Sequence, residues 1–259
     1  MRALTYNLLA GQDDDVARLR EATLLLRAAK PDVLVLNEGA LLALDEGVRL
    51  RELEAALGMH GTLGLARSGY HVALFVRGEP AQHVEVVAGE LSHVALVARL
   101  RVGRHELQVV GAHLYPFSAE KRLREVELLL TRLDVSLPTL LLGDLNAISP
   151  RDVATARPES WVERYRARHL DASGVVDVRA LAALERSGLI DVHASHHGET
   201  MPTRPTARYA TGDRPSQRLD YIFASADLAR TATHCAPFEH SSAETASDHR
   251  PLYADFAWP

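Results

Sequence analysis

Acidic, amide and imidazole side chains stand together in three short segments of this sequence. Asp144 and Asn146 lie in GDLNA, Asp220 lies in RLDYIF, and Asp248 and His249 lie in SDHRPL. Side chains of these types can hold a hard divalent cation against a phosphate ester, because Mg²⁺ and Mn²⁺ prefer oxygen ligands in near-octahedral geometry. The three segments therefore predict metal-assisted chemistry on a phosphate group.

The carboxylates and amides divide between a metal ion and a water molecule. Glu38 and Asp248 fit the demand of Mg²⁺ for one or two protein carboxylates. Asn7 and Asn146 can add a neutral oxygen ligand, or donate to the phosphate, without cancelling the charge of the metal. Asp144 is the carboxylate that we expect to orient or deprotonate the attacking water.

Two histidines are candidates for stabilising the charge that develops on the phosphoryl oxygens. His113 and His249 can each donate a hydrogen bond to such an oxygen. An imidazole does this best when a carboxylate holds its other nitrogen, because the carboxylate selects the tautomer and stabilises the protonated form. Asp220 is the candidate partner of His249.

The first part of the chain predicts a strand, a helix and a second strand. Residues 2–9 have strand character, apolar residues recur at helical spacing from Val16 to Lys30, and residues 32–37 form an apolar run too short for a helix. Glu38 is thereby placed at the C-terminal end of a buried strand. The helix is expected to begin with an N-cap and favourable first-turn charges from Asp13, Asp14 and Asp15.

Short β-like segments follow between residues 60 and 112, which is typical of antiparallel sheet. Ser118 then caps a predicted helix, and Pro138 precedes a strand at residues 139–142. Asp144 is thereby expected just after a buried strand, as Glu38 is. The predicted antiparallel strands are residues 71–76, 83–87, 94–100 and 107–112.

The C-terminal part contains a polar segment and a basic loop before the last strands. Residues 149–190 are predicted to be mostly helical. Residues 200–218 form a predicted loop with four arginines against Asp213 alone, and because this loop runs directly into Asp220 we expect Arg204 and Arg218 to contact substrate. Surface charge without a partner is the alternative for these arginines. The closing strands are predicted at residues 219–223, 231–235 and 252–256.

Composition indicates one globular domain over residues 1–259. Hydrophobic residues make up 47% and charged residues 24%, which gives ample material for a core and excludes a disordered chain. The net charge of −5 argues against attraction of the whole molecule to polyanions. The lone Cys235 rules out an intramolecular disulfide, and no membrane-span or signal-peptide pattern occurs, so we expect a cytoplasmic protein, taken as a monomer.

At these positions the sequence resembles the endonuclease/exonuclease/phosphatase superfamily of metal-dependent phosphoesterases, which includes deoxyribonucleases, abasic-site endonucleases, neutral sphingomyelinases and inositol-polyphosphate phosphatases. The resemblance runs through the chain in the order of the family and implies an α/β fold, a four-layer αββα sandwich with two mixed sheets packed face to face. It is carried by TYN at 5–7, NE at 37–38, GAHL at 111–114, GDLNA at 143–147, RLDY at 218–221 and SDH at 247–249.

The resemblance also implies a role for each matching residue. Glu38 would be the main ligand of Mg²⁺ or Mn²⁺, helped by Asn7 and Asp248. Asp144 would activate the water and Asn146 would position the phosphate. The remaining matches would contact the phosphoryl group or its leaving oxygen, with a carboxylate behind one imidazole: His113, His249 and Asp220.

Two positions depart from the pattern of the family. Asn37 stands where glutamine is more frequent, and His71 stands where many members carry asparagine beside the phosphate. We therefore expect His71 to contact substrate. Neither departure removes a reacting group, so they concern the substrate pocket and not the chemistry.

Several residues allow a structural interpretation as well. Asp144 and Asn146 alone could be turn residues after a strand, and His113 could be a core histidine. Trp161 and Tyr165 could stack on a base, but packing against the domain is the favoured interpretation. Three clustered histidines are interpreted first as a solvated loop, then as substrate-facing residues and last as a zinc site: His193, His196 and His197.

The substrate is predicted less sharply than the chemistry. A phosphodiester of DNA or RNA is preferred by analogy with relatives alone, and the acidic net charge argues for a local basic surface instead of a basic groove. A small metabolite or a lipid head group is the alternative substrate. A non-catalytic phosphate-binding module, or a structural protein without phosphate chemistry, is a rival of another class, although such modules usually lose a ligand and none is missing here.

Overall fold

The computed structural model describes residues 1–10, 15–197 and 199–258. Asp13 and Asp14, which were expected to cap the first helix, lie outside these residues. The described strands are β1 (Arg2–Asn7), β2 (Val33–Asn37), β3 (His60–Gly64), β4 (Val72–Val76), β5 (His83–Val87), β6 (Ala95–Val102), β7 (His105–His113), β8 (Thr139–Asp144), β9 (Leu189–Asp191), β10 (Asp220–Ser225), β11 (Ala232–Pro237) and β12 (Leu252–Phe256).

Helices lie between the strands and on the outside of the molecule. The described α-helices are α1 (Asp15–Ala29), α2 (Val48–Leu57), α3 (Ala119–Leu130), α4 (Glu163–His169), α5 (Arg179–Arg186), α6 (Val192–His196) and α7 (Ala226–Ala229). None of the described helices is both long and apolar enough to cross a lipid bilayer.

The described strands form two mixed sheets of six strands each, in the orders β11-β12-β1-β2-β4-β3 and β5-β6-β7-β8-β10-β9. Each sheet has one central parallel pair, β1 with β2 and β7 with β8. Helices α1 and α3 make these two connections, because a chain that enters a parallel neighbour must first cross back over the sheet. The other strand pairs are antiparallel.

Four layers result from burying both faces of each sheet. The inner faces meet in one hydrophobic core, to which β2 contributes Val33 and Val35 and β8 contributes Leu140 and Leu142. All five residues of β2 are buried, as expected for a strand covered on both faces. Helices α1 and α2 cover the first sheet and α3 and α5 cover the second. This is the predicted αββα sandwich.

The strand register brings the chemical residues to one edge of the sandwich. The last parallel pairs are Asn7 with Asn37 and His113 with Asp144. Asp220 opens β10 directly opposite Asp144 in the antiparallel pair. Because parallel strands end at the same edge, the side chains that follow them must lie close together.

Gly143 allows the close approach of β7 and β8 just before Asp144. Its φ is +151°, and a Cβ at this position would lie 1.8 Å from the carbonyl oxygen of Ala112. No side chain can occupy that space, because the nearest atom belongs to the backbone of the neighbouring strand. Gly143 therefore holds Asp144 in register with His113.

The predicted strands are confirmed, with ends that differ by no more than two residues. The predicted helical character of residues 149–190 is wrong for most of the segment, which contains only α4, α5, 3₁₀ turns and finally β9. Pro150 and Pro158 each open a 3₁₀ turn, and Asp171 accepts from the backbone of Ser173 and Val175, which closes a turn instead of a helix. Helix α2 was not foreseen.

Burial decides between the alternative interpretations of two groups of aromatic side chains. Trp161 and Tyr165 are buried in a small cluster with Leu219, so the packing interpretation is confirmed. His193 lies on α6 and is buried, so the solvated-loop interpretation is wrong for this residue, while His196 is exposed. The side chain of Asp191 caps α6 by accepting from the N–H of Ala194. None of these histidines belongs to a metal-ligand cluster within the described residues.

Candidate active site

The predicted residues converge at the edge where β1, β2, β7 and β8 end. A cavity of about 220 Å³ opens there. Asn7 and Asp220 are buried directly behind it. The cavity walls include Glu38, His113, Asp144, Asn146, Asp248 and His249.

Asp144 lies at the centre of this group. Its Oδ2 accepts from Asn7 Nδ2 at 2.9 Å and its Oδ1 accepts from the backbone N–H of Asn146 at 3.0 Å. The Nε2 atoms of His113 and His249 each lie 3.7 Å from Oδ2. Burial raises the pKa of Asp144, and the positive charge of His249 opposes that rise. A carboxylate with a raised pKa is suited to accept a proton from water.

Glu38 follows β2 in a conformation that non-glycine residues rarely adopt, with φ at +58°. Its carboxylate accepts from Asn7 Nδ2 at 3.0 Å and from the backbone N–H of Ala10 at 2.9 Å. Both donors are neutral, and none of the salt bridges in the described chain involves Glu38. Burial raises the pKa of Glu38, and the two hydrogen bonds from Asn7 and Ala10 do not outweigh it. The positive charge of His249 opposes this rise only in part.

Asn7 links the two carboxylates through one amide nitrogen, which donates to both Glu38 and Asp144. Its Oδ1 accepts from the backbone N–H of Leu9 at 2.9 Å. An amide oxygen turned toward two carboxylates would be repelled, so the nitrogen must face them. The amide nitrogen of Asn7 thus positions the two carboxylates, while its expected role as a metal ligand stays a prediction.

His249 and Asp220 form a close pair, with 2.7 Å between Nδ1 and Oδ2. Burial alone would lower the pKa of His249, but the charges of Asp220 and Asp144 outweigh it and raise this pKa to about 10. The backbone N–H of Asp220 donates to Thr203 Oγ1. The carboxylate is thus fixed by the fold and holds a charged imidazole toward the cavity.

His113 has no carboxylate on its other nitrogen. Its Nδ1 has no hydrogen-bond partner in the described chain, and its ring stacks on His93 with centroids 4.5 Å apart. Burial lowers the pKa of His113 well below its ordinary value, and nearby imidazoles add to this. Burial also lowers the pKa of His93 to about 4. His93 lies in a loop without a periodic pattern, and sequence reasoning missed it.

Asp248 is paired with two arginines of the basic loop. Its Oδ2 lies 3.0 Å from Arg204 Nη2 and 3.4 Å from Arg214 Nη1. Burial alone would raise the pKa of Asp248, but the charges of His249 and Arg204 lower it, so the carboxylate is ionised. Arg204 lines the cavity. The pairing of Arg214 was not expected, since nothing in the sequence links it to Asp248.

Two asparagines hold the backbone of the site. Asn146 adopts φ +49° and donates from Nδ2 to the carbonyl of Leu114 at 3.1 Å. Asn37 is fully buried; it donates to the carbonyl of Ala112 and accepts from the N–H of Asp144, both at 2.9 Å. Asn37 therefore ties the first sheet to the second beside Asp144. The sequence identified it only as a departure from a pattern.

Two predicted substrate contacts do not reach the cavity. Arg218 is buried, with Nε 2.9 Å from Asp152 and Nη2 2.7 Å from Asp191. It neutralises two buried carboxylates, which corrects the expectation of a substrate contact. The imidazole of His71 accepts from the N–H of Ala66, and its neighbour Tyr70 lines the cavity in its place.

The sequence matches the Endonuclease/Exonuclease/phosphatase family over residues 4–249. The chain belongs to this family. It is accordingly an enzyme, a metal-dependent hydrolase of phosphate esters. A search of the curated proteins gave no match.

Solved structures of this family share the fold of the chain. An AP endonuclease from Archaeoglobus fulgidus has 21% sequence identity and a TM-score of 0.76, with all of both chains covered. The 3′-5′ exonuclease NExo from Neisseria meningitidis has 23% identity and a TM-score of 0.73, also with full coverage of both. Truncated Caenorhabditis elegans TDP2 has 14% identity and a TM-score of 0.69 and covers 98% of this chain and 96% of its own.

A divalent cation, on which the family depends, fits the donor set of this member. Glu38 and Asp144 are carboxylates held by neutral donors, and Oδ1 of Asp220 has no partner in the described chain. Carboxylate oxygens of Asp144 and Asp220 lie within 4.8 Å of each other, which concentrates negative charge there. Unbalanced negative charge in a poorly solvated cavity is what a divalent cation relieves.

Proposed function

We propose that the chain hydrolyses a phosphodiester by direct in-line attack of a water molecule that Asp144 deprotonates, with no covalent enzyme intermediate. Mg²⁺ or Mn²⁺ would bind at Glu38, with Asp248 beside it, and would offset negative charge on the phosphoryl group. Asn7 keeps Glu38 and Asp144 together. The cytoplasmic location and the monomeric state stay predictions from the sequence.

The two imidazoles on either side of Asp144 have different tasks in the proposed reaction. The water oxygen forms a bond to phosphorus, its proton passes to Asp144, and the bond from phosphorus to the leaving oxygen breaks. His249, held charged by Asp220, donates to a phosphoryl oxygen. His113 lies beside the leaving oxygen as a neutral hydrogen-bond donor, and the leaving group takes its proton from solvent.

One observation carries this proposal. A single buried carboxylate, Asp144, has neutral donors on both oxygens and an imidazole on each side at 3.7 Å. Burial raises its pKa, which suits a proton acceptor. A carboxylate that merely closed a turn would need only the bond from the N–H of Asn146, and neither Asn7 nor the two imidazoles.

The test uses methyl p-nitrophenyl phosphate as a diester and p-nitrophenyl phosphate as a monoester. We expect release of p-nitrophenol from the diester, its loss in EDTA, and its return with Mg²⁺ or Mn²⁺. Glu38→Gln and His249→Gln should lose the activity, while the exposed control Glu52→Gln should retain it. Undiminished turnover in EDTA would contradict the proposal, and release from the monoester alone would favour a phosphatase.

Nucleic acid is the proposed source of the diester. Support comes from neighbours of known activity, among them NExo, described as a 3′ phosphatase bound to a product DNA hairpin, and from the arginines beside the cavity. Cleavage of a DNA oligonucleotide should fall steeply as salt rises, because phosphate contacts release counterions. A flat response to salt would favour a small metabolite or a lipid head group.

A further inference from the structure

Two aromatic rings and two cationic side chains pack together at one rim of the catalytic cavity. We call this group the aromatic–cation strip. Phe117 and Arg168 both line the cavity. Phe117 is 55% exposed, whereas the other four phenylalanines are buried or half-buried. The strip consists of Tyr115, Phe117, Lys121 and Arg168.

The members of the strip are packed against one another. The guanidinium carbon of Arg168 lies 4.6 Å from the ring centroid of Phe117 and 5.3 Å from that of Tyr165. Lys121 Nζ lies 4.4 Å from the ring centroid of Tyr115. The rings of Tyr115 and Phe117 meet edge to face at 5.6 Å. Each cation therefore has a preset position over an aromatic ring.

Arg168 is a cation without an anion. Its guanidinium makes no salt bridge and donates no hydrogen bond to any residue of the described ranges, whereas Arg204 and Arg214 are both paired with Asp248. Burial lowers the pKa of Arg168, and the positive charge of Arg204 adds to this. Excess positive charge at a cavity wall is a site for an anion from solution.

An unpaired nucleic-acid strand offers the two groups that this strip can bind. Its bases present flat aromatic faces, which stack on exposed aromatic side chains, and its phosphates alternate with them. The strip presents one exposed ring, Phe117, next to Arg168, a cation without a carboxylate partner among the described residues. A base-paired duplex keeps its bases stacked inside, so it would leave Phe117 without a partner.

We propose that Phe117 stacks on a base and Arg168 binds the adjacent phosphate of an unpaired nucleic-acid strand. This inference rests on the proposed function, since it takes the scissile phosphate of that strand to lie in the cavity. The aromatic surface is Phe117 and not Trp161 or Tyr165, because those two rings are buried in the domain.

Binding without turnover tests the two contacts separately. Fluorescence anisotropy in EDTA compares a short oligothymidylate with an abasic oligomer that has the same number of phosphates. We expect Phe117→Ala to weaken binding of the oligothymidylate about tenfold and to leave binding of the abasic oligomer unchanged. Arg168→Gln should weaken both oligomers equally and lower the salt dependence of binding by about one phosphate contact.

The controls match each variant in residue type, and Leu24 also matches Phe117 in exposure. Leu24→Ala removes a similarly exposed apolar side chain from α1, and Arg124→Gln removes a surface arginine from α3. Neither should change binding. Equal weakening of both oligomers by Phe117→Ala, or no weakening, would overturn the stacking contact.

The inference and the proposed function can fail independently. Absence of binding to both oligomers by the wild-type chain would overturn the inference, even where metal-dependent hydrolysis of methyl p-nitrophenyl phosphate is observed. If the variants change binding as expected but no ester is hydrolysed, the proposed binding by Phe117 and Arg168 is supported and the catalytic proposal is contradicted.

Discussion

His113 and His249 occupy matching places on either side of Asp144, yet their rings differ in charge. Each Nε2 lies 3.7 Å from Oδ2 of Asp144. His249 has the Asp220 carboxylate on its other nitrogen, which raises its pKa, whereas His113 has only the ring of His93 against it and its pKa is lowered. The partner behind an imidazole, and not its distance from Asp144, decides whether it is a charged or a neutral donor.

Removing the carboxylate between the two imidazoles should have the largest effect. We expect Asp144→Asn to lower kcat about 10³-fold, because the amide cannot accept a proton from water. The circular dichroism spectrum should be retained, since the amide is nearly isosteric. Steady-state hydrolysis of the diester measures the effect, with Asp134→Asn, at a partly exposed aspartate outside the cavity, as the control. A kcat near that of the wild type would show that Asp144 does not act on the water.

Removing the carboxylate behind His249 should make its imidazole similar to that of His113, with no carboxylate on Nδ1. We expect Asp220→Asn to lower activity about 10- to 100-fold, as for other residues that orient an active-site histidine. The pKa of His249, followed by NMR of the ring, should fall toward that of His113. Lost activity with an unchanged His249 pKa would indicate a structural role for Asp220 only. Thermal unfolding identifies a variant that has merely lost stability.

Removing the ring behind His113 should have a smaller effect. His93→Ala leaves Asp144 and His249 untouched, so we expect activity to fall less than about tenfold. The stacked pair should cost about 1 kcal/mol of unfolding free energy. Urea unfolding measures this against His83→Ala, a control at an exposed histidine. A loss of activity as large as that of Asp144→Asn would break the contrast between the two imidazoles.

The same contrast predicts opposite responses of stability to pH. Histidines have an ordinary pKa of 6.5, while burial lowers the pKa of His93 and of His193 to about 4 in the folded chain. The unfolded state therefore binds more protons between pH 6.5 and 4, and the unfolding free energy should fall as pH drops through this range. His249 has a raised pKa, so its contribution is present below pH 6.5 and is lost as pH rises toward about 10.

Urea unfolding midpoints at pH values between 7 and 4 measure this loss of stability in acid, which we call the acid limb. Replacing His193 by glutamine should flatten this limb, because glutamine takes up no proton in either state. An acid limb that is equally steep in this variant would indicate that His193 does not stay neutral on folding.

The strand ends and the order of the chemical segments were predictable from the sequence, because apolar runs bounded by Gly and Pro mark buried strands. Asp144 and Glu38 follow such runs, and parallel strands bring their ends to one edge. Segments without a regular apolar pattern did not indicate where their side chains would lie. His93, Phe117 and Arg168 lie in loops or at a short helix, where side-chain direction depends on contacts from elsewhere in the chain.

Charged and amide side chains also show that the sequence gives the residue type, whereas the fold decides its partner. Arg204 and Arg218 look alike in the basic loop, but the fold pairs Arg204 with Asp248 at the cavity and buries Arg218 between Asp152 and Asp191. Asn37 stood out only as a departure, and its cross-sheet bonds to Ala112 and Asp144 required both sheets to be in place.

The sequence by itself determined which reacting groups are present and which strands deliver them, because side-chain type and hydrophobic periodicity are local properties of the chain. Only the tertiary structure decided which imidazole is charged and which arginine at the cavity has no carboxylate partner among the described residues. Both outcomes depend on burial and on partners distant in sequence, such as Asp220 behind His249, and these act on a group only when folding has removed the water between them.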